Sequence, residues 1–204
     1  KLTENSFRDV NIAFANELSL ISDRLGIDVW ELIELANHHP RVNILQPGPG
    51  VGGHCIAVDP WFIVSSVPEE AKIIKMARDV NDGKPAWVIK QVKAALEGKE
   101  SSTVAALGIA FKNDIDDLRE SPSLNIVKTL GEENPDLDIR VVEPNVAELP
   151  DSLSSVPNLK KQELETAVQD ADVVLLLVNH KEFLQMDTSL LEGKSVIDTK
   201  GIWR

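Results

Sequence analysis

The sequence predicts an α/β protein, an all-helical first part followed by a parallel-sheet second part. Three observations predict it. Through much of the first hundred residues apolar side chains recur every three or four positions, the period of an amphipathic helix. Past that point short apolar, β-branched runs alternate with helical stretches, which is how a parallel sheet with crossover helices reads. Between them Gln46-Pro-Gly-Pro-Gly-Val-Gly-Gly-His-Cys55 is too rich in glycine and proline to be anything but a loop.

Taken in order, Asn5 to Leu25 reads as a helix. Phe7, Val10, Phe14, Leu18, Ile21 and Leu25 mark one apolar stripe, and Gly26 stands where a C-terminal cap belongs. Asp28 with Glu31 three residues later predicts the start of a second helix, which stops before Pro40. Ala71 to Val80 and Ala86 to Leu96 read as helix, with Gly83 and Pro85 predicting a kink or break between them. Thr103 to Phe111 reads as a buried strand. Ser121-Pro122 suits an N-cap and first helical position, and Leu124 to Leu130 continues that helix. Ile139 to Val142 and Val173 to Val178 read as strands, Gln162 to Gln169 as helix, and Ser195 to Ile197 as a last strand. The expected domains are 1–100 and 101–204, with the boundary near residue 100.

The chain has 204 residues, of which 43% are apolar, enough to fill a core. With 21 basic against 33 acidic residues the net charge is −12, which disfavours a nucleic-acid partner. A few placed basic residues are still enough for a small anionic ligand. No apolar run approaches the length that spans a membrane. The lone cysteine precludes an internal disulfide and fits a reducing cytoplasm. The four histidines and one cysteine show no metal-ligand spacing, so no metal is expected. The chain opens on Lys1, already inside a helical pattern, and reads as a piece of a longer protein.

Gly48-Pro-Gly-Val-Gly-Gly53 formally matches the dinucleotide fingerprint G-x-G-x-x-G. That motif needs a strand before it and a helix after it; here prolines stand before and within it. The glycines serve instead to turn the chain sharply and let backbone approach a ligand. At the end of the turn sits Cys55. A lone cysteine is ordinarily a small buried hydrophobe. Its flanks, Gly52, Gly53, His54 and, four residues on, Asp59, suit an exposed nucleophile better.

Gly50-Val-Gly-Gly-His-Cys-Ile-Ala-Val-Asp59 resembles the nucleophile loop of the UDP-glucose/GDP-mannose dehydrogenase family. The longer string from His39 to Pro60 is closer still to the family's UDP-N-acetyl-D-mannosamine branch, and the resemblance runs from Lys1 to Arg204. It implies oxidation of a sugar C6 alcohol to a carboxylate in two hydride transfers to NAD, with a thiohemiacetal and then a thioester on Cys55. Lys1 and Asn5 match the family's catalytic lysine and asparagine; their i, i+4 spacing puts them on one helix face. The Lys would stabilise an oxyanion and the Asn would donate a hydrogen bond. Asp59 would orient Lys1 and the hydrolytic water. Val58 stands where dehydrogenases of UDP-glucose usually have Lys, a departure that favours an acetamido sugar.

The resemblance also implies substrate contacts at Arg8, His39, Arg41 and Gly52, with Arg41 reaching the site of a partner subunit, so that a homodimer with shared active sites is expected. Phe111 and Lys112 end the first strand of the second domain, where ligands of parallel sheets collect; the resemblance makes them contacts to uridine diphosphate. Arg119 and Lys200 would reach NAD held mainly by an N-terminal domain absent here, leaving this piece inactive alone. With no G-x-G-x-x-G after Thr103–Ala110, the second domain is expected to be a Rossmann-like, UDP-binding fold. Taken alone, Lys1 reads as a frayed terminus, Asn5 as a cap, Asp59 as a loop residue and Arg8 as a solvated surface residue. The competing readings are a dehydrogenase fragment for UDP-N-acetylglucosamine or UDP-glucose, and a non-catalytic UDP-sugar-binding module.

Overall fold

The computed structural model describes residues 1–98 and 102–204. The boundary expected near residue 100 falls on residues outside those described. The chain divides into two compact units, Lys1–Lys84 and Pro85–Arg204.

In the first unit α1 spans Leu2–Leu25 and ends on Gly26, whose φ of 67° is the left-handed cap that glycine adopts without strain. Helix α2, Val29–Ala36, starts on Asp28, whose carboxylate accepts from the Trp30 and Glu31 amides at 2.8 and 3.0 Å. Helix α3, Asp59–Ser66, packs on α1. It was not read from the sequence, because Pro60 looks like a breaker there, yet a proline in the first turn costs no hydrogen bond. Helix α4 is one element, Lys72–Ala95, where two were expected. Pro85 removes a single backbone bond, and the apolar side chains of Val88 and Val92, fully buried in the turns after it, offset that loss.

The apolar stripe of α1 is not what the helix buries. Phe7, Phe14, Ile21 and Leu25 are 48–69% exposed, whereas Ser6, Asp9, Asn16, Ser19 and Ser22 are buried. Phe14 and Val10 instead border a groove of about 300 Å³ with Ile73, Met76 and Val80 of α4. The inward face of α1 is held by polar bonds. Arg78 binds Asp9 at 2.6 Å, and Asn81 donates to the same carboxylate at 2.8 Å. Asn16 donates to Asn81 at 2.9 Å, and Lys84 donates to the Ser19 hydroxyl at 2.5 Å.

The second unit is a five-stranded sheet in the order β3-β2-β1-β4-β5, with every pair parallel. Its strands are β1 Thr103–Leu107, β2 Asp138–Val142, β3 Leu159–Lys161, β4 Val173–Leu176 and β5 Ser195–Asp198. Helices α5 Pro122–Glu133, α6 Asp151–Ser154, α7 Leu164–Gln169 and α8 Lys181–Leu184 connect them, with a 3-10 turn at Thr188–Leu191 before β5. As expected, Ser121 caps α5. Apolar clusters cover both sheet faces, one around Ile126, Leu130 and Leu175, the other around Val168, Leu176 and Phe183. Strand order reverses at β1 and β4, where ligands of such sheets bind at the carboxyl ends.

β1 ends at Leu107, short of the expected Phe111. Gly108 turns the chain with a φ of 88°, and a Cβ there would lie 2.5 Å from the Val178 Cβ. Only glycine allows the chain leaving β1 to pass so close to the end of β4. β3 was missed because two of its three residues are lysines.

Candidate active site

The segment leading to Cys55 is tied down before it reaches the thiol. The Gly48 amide donates to Asn16 of α1 at 2.9 Å, and Asn37 exchanges two hydrogen bonds with Ile44. Gly53 then takes a φ of 86° to turn the backbone into Cys55. The Cys55 carbonyl accepts from the amides of Val58 and Asp59 at 3.2 and 2.8 Å, so the thiol and the start of α3 form one turn.

This turn lies against the first turn of α1. Asn5 donates to Asp59 Oδ2 at 2.6 Å, and the Lys1 ammonium lies 3.6 Å from the same oxygen. Asp59 is buried and Cys55 exposed. The nearby Asp59 charge, and after it Cys55, raise the Lys1 ammonium above its ordinary range, so it remains a cation. Lys1, Asn5, Cys55 and Asp59, 58 positions apart at the extremes, thus gather at one place. A buried carboxylate that holds an amide by a hydrogen bond and draws an ammonium toward the same oxygen places both donors near an accessible nucleophile.

Arg8, His39 and Arg41 are exposed in the same unit, and Gly52 is half-buried. His39 accepts from the Arg41 amide at 3.2 Å. Among the described residues, no hydrogen bond joins these four to the Asp59 group. In the second unit Phe111 is half-buried and Lys112 exposed just past the end of β1. Arg119 is bound through Nε and Nη2 by the Asp117 carboxylate at 2.8 and 2.6 Å. Lys200 follows β5, where Asp198 accepts from the amides of Lys200, Gly201 and Trp203. Burial lowers the Lys200 ammonium below its usual range, offset in part by Asp198.

The first 83 residues match the central domain of the UDP-glucose/GDP-mannose dehydrogenase family, and residues 105–204 match that family's UDP binding domain. The chain belongs to the UDP-glucose/GDP-mannose dehydrogenase family. It is 58% identical to a UDP-N-acetyl-D-mannosamine dehydrogenase of Yersinia pestis, over all of this chain and 50% of that protein. It is 56% identical to an NDP-N-acetyl-D-galactosaminuronic acid dehydrogenase of Ralstonia solanacearum, over all of this chain and 47% of that one. Among solved structures, the UDP-N-acetyl-mannosamine dehydrogenase Cap5O from S. aureus superposes with a TM-score of 0.81 at 43% identity, over 99% of this chain and 47% of that one. The chain therefore spans about half the length of the curated relatives it matches.

The segments that follow β1, β2 and β4 lie at the same edge of the sheet, because the three strands are parallel. Sequence reasoning overlooked what joins them here. Glu143, directly after β2, and His180, just beyond β4, are almost wholly buried and lie 3.1 Å apart (Oε2 to Nε2). The Ile109 and Ala110 amides donate to the same Glu143 oxygen at 2.9 and 3.1 Å, and Asn145 donates to the other. Burial acts to raise the Glu143 carboxyl, but donors from His180, Ile109 and Asn145 outweigh it and hold it below the usual carboxylate range. The available signal was position: each residue follows an apolar strand run by one or two residues.

That carboxylate also bears on NAD. A dinucleotide pyrophosphate is cradled by free amides in the turn after the first strand. Here the Ile109 and Ala110 amides are already taken by Glu143. This turn does not fit the cofactor's pyrophosphate.

Proposed function

We propose that this chain is the central and UDP-binding portion of an NAD-dependent UDP-N-acetyl-D-mannosamine 6-dehydrogenase. The observation that carries the proposal is the convergence of Lys1, Asn5 and Asp59 beside an exposed Cys55. A module that only held a nucleotide would have no use for an exposed thiol with an ammonium and an amide gathered beside it. Cys55 forms the covalent bond to the C6 aldehyde carbon, and the carbonyl oxygen takes up the negative charge. Lys1 faces that charge, Asn5 donates to it, and Asp59 keeps both in place. After oxidation water cleaves the resulting thioester, releasing the carboxylate and the thiol. NAD accepts the hydrides, and its principal site is assigned to a domain other than these two, with Arg119 and Lys200 in supporting contact. Phe111 and Lys112 bind the uridine diphosphate.

The substrate is assigned as a UDP-N-acetylhexosamine, and the similarity to the mannosamine enzymes supports the manno epimer. The similarity to the Ralstonia solanacearum protein supports a second reading, with an N-acetylgalactosamine-type sugar. A homodimer is assigned from the exposed stripe of Phe7, Phe14, Ile21 and Leu25, an apolar surface of the kind that marks association. In that dimer Arg41 and His39 act at the partner's substrate. Calorimetric titration with UDP-N-acetylmannosamine, UDP-N-acetylgalactosamine, UDP-glucose and NAD tests the reading. Preference for an N-acetylated sugar and no response to NAD are expected. NAD binding without UDP-sugar binding would overturn it. Sedimentation of a monomer would remove the dimer.

A further inference from the structure

The buried pair Glu143 and His180 does not touch the residues assigned to substrate, yet it holds the segment that carries them. His180 is fully buried at the start of α8, its ring edge-on to Phe183 at 5.4 Å. Its Nδ1 accepts from the Asp114 amide at 2.9 Å. That bond requires the proton on Nε2, which is then donated to Glu143. Asp114 replies in kind: its carboxylate accepts from the Lys181 amide at 3.0 Å. Asp114 itself sits at a φ of 58°, a conformation that needs external support outside glycine.

The segment 109–114 is therefore pinned at both ends. Glu143 takes the two amides at its start, and His180 and Lys181 take the amide and carboxylate at its end. Phe111 and Lys112 stand in the middle. Every lone pair of the Glu143 carboxylate that these bonds use accepts from a donor, two from Asn145, two from the segment and one from His180. Its amide counterpart would turn an NH2 toward donors whichever way it were placed.

We infer that Glu143 and His180 are positioning residues for nucleotide recognition, fixing the 109–114 segment so that Phe111 and Lys112 meet a uridine diphosphate already in place. The inference rests on the reading that Phe111 and Lys112 bind that group. Preorganisation of this kind acts on affinity, because an unpinned segment must be ordered when the ligand binds.

The test is calorimetric titration of the chain with UDP, alongside melting curves. His180→Leu and Glu143→Gln should each weaken UDP binding about tenfold. His180→Asn, whose amide oxygen can stand where Nδ1 stood and accept from the Asp114 amide, should recover most of the loss. Asp114→Ala removes the carboxylate that accepts from the Lys181 amide while leaving Glu143 and His180 in place, and should weaken UDP binding severalfold with the melting curve still showing a folded chain. The inference is overturned if the chain binds UDP but all four variants bind it equally well, or if His180→Asn binds no better than His180→Leu while melting alike. An unaltered chain that binds no UDP would instead overturn the reading of Phe111 and Lys112, and the inference with it.

Discussion

Two polar clusters of this chain are built in opposite ways. Around Cys55 a buried carboxylate, Asp59, holds an exposed ammonium and a half-buried amide beside an exposed thiol. Around Glu143 a buried carboxylate is ringed by five donors that are themselves part of the fold. In the first, Lys1 and Cys55 keep bonding capacity directed at water, which is what the proposed chemistry requires. In the second, all of it is consumed internally, so the cluster can hold a segment but cannot react. A polar group's burial and the partners left to it, rather than its residue type, separate chemistry from scaffolding.

Perturbations sharpen that contrast. The largest effect belongs to the exposed cluster. Cys55→Ser, in an enzyme that joins this chain to an NAD-binding domain, should cut acid formation by about a thousandfold or more, with UDP-sugar affinity and melting temperature unchanged. Unchanged turnover would remove Cys55 as nucleophile. Buried polar groups should behave the other way. Arg78→Met strands the Asp9 carboxylate, which burial already raises above its usual range despite Arg78 and Asn81. It should cost about 3–5 kcal/mol in urea unfolding, while a double Arg78→Met/Asp9→Leu change costs much less. If the single change is harmless, the buried network of α1 and α4 is not what holds them.

Gly108→Ala tests the close pass between β1 and β4. With a φ of 88° and Val178 in the way, a loss of about 2–4 kcal/mol is expected by thermal unfolding. Lys84 supplies a smaller, pH-dependent effect. Burial lowers its ammonium from 10.5 to about 8, with Asp23 opposing. Between those values the unfolded chain binds more protons than the folded one. The cost of Lys84 is therefore fully present below pH 8 and is relieved as pH rises toward 10.5, by on the order of 3 kcal/mol at most. Melting curves across that range should rise relative to those of Lys84→Met, and parallel curves would place the proton elsewhere. Least of all, Arg119→Ala removes only an exposed pair with Asp117, 71% exposed on the arginine side, and should leave the melting temperature unchanged.

Much of this was legible beforehand. The 3.6-residue period marked α1, the Asp28 and Glu31 capping pattern marked α2, β-branched runs marked four of the five strands, and the family resemblance singled out Lys1, Asn5, Cys55 and Asp59 as the candidate site. The misses have local causes. Pro85 reads as a break because local propensity cannot count the burial of Val88 and Val92 after it. β3 shows no apolar run because only Leu159 of its three residues is buried.

Residue type and spacing along the chain determined the elements, their order and the set of groups fit for chemistry, since those depend on neighbours a few positions away. Three things were decided only by tertiary structure. The apolar stripe of α1 turns outward, because its Asp9, Asn16 and Ser19 face finds complementary partners 65 to 72 positions along the chain. Lys1 and Asn5 meet Asp59 because α3 packs on α1. Glu143 reaches His180 and the Ile109 amide because parallel pairing sets the ends of β1, β2 and β4 side by side. Each is a contact between residues far apart in the chain, and such contacts exist only once the intervening segments have folded.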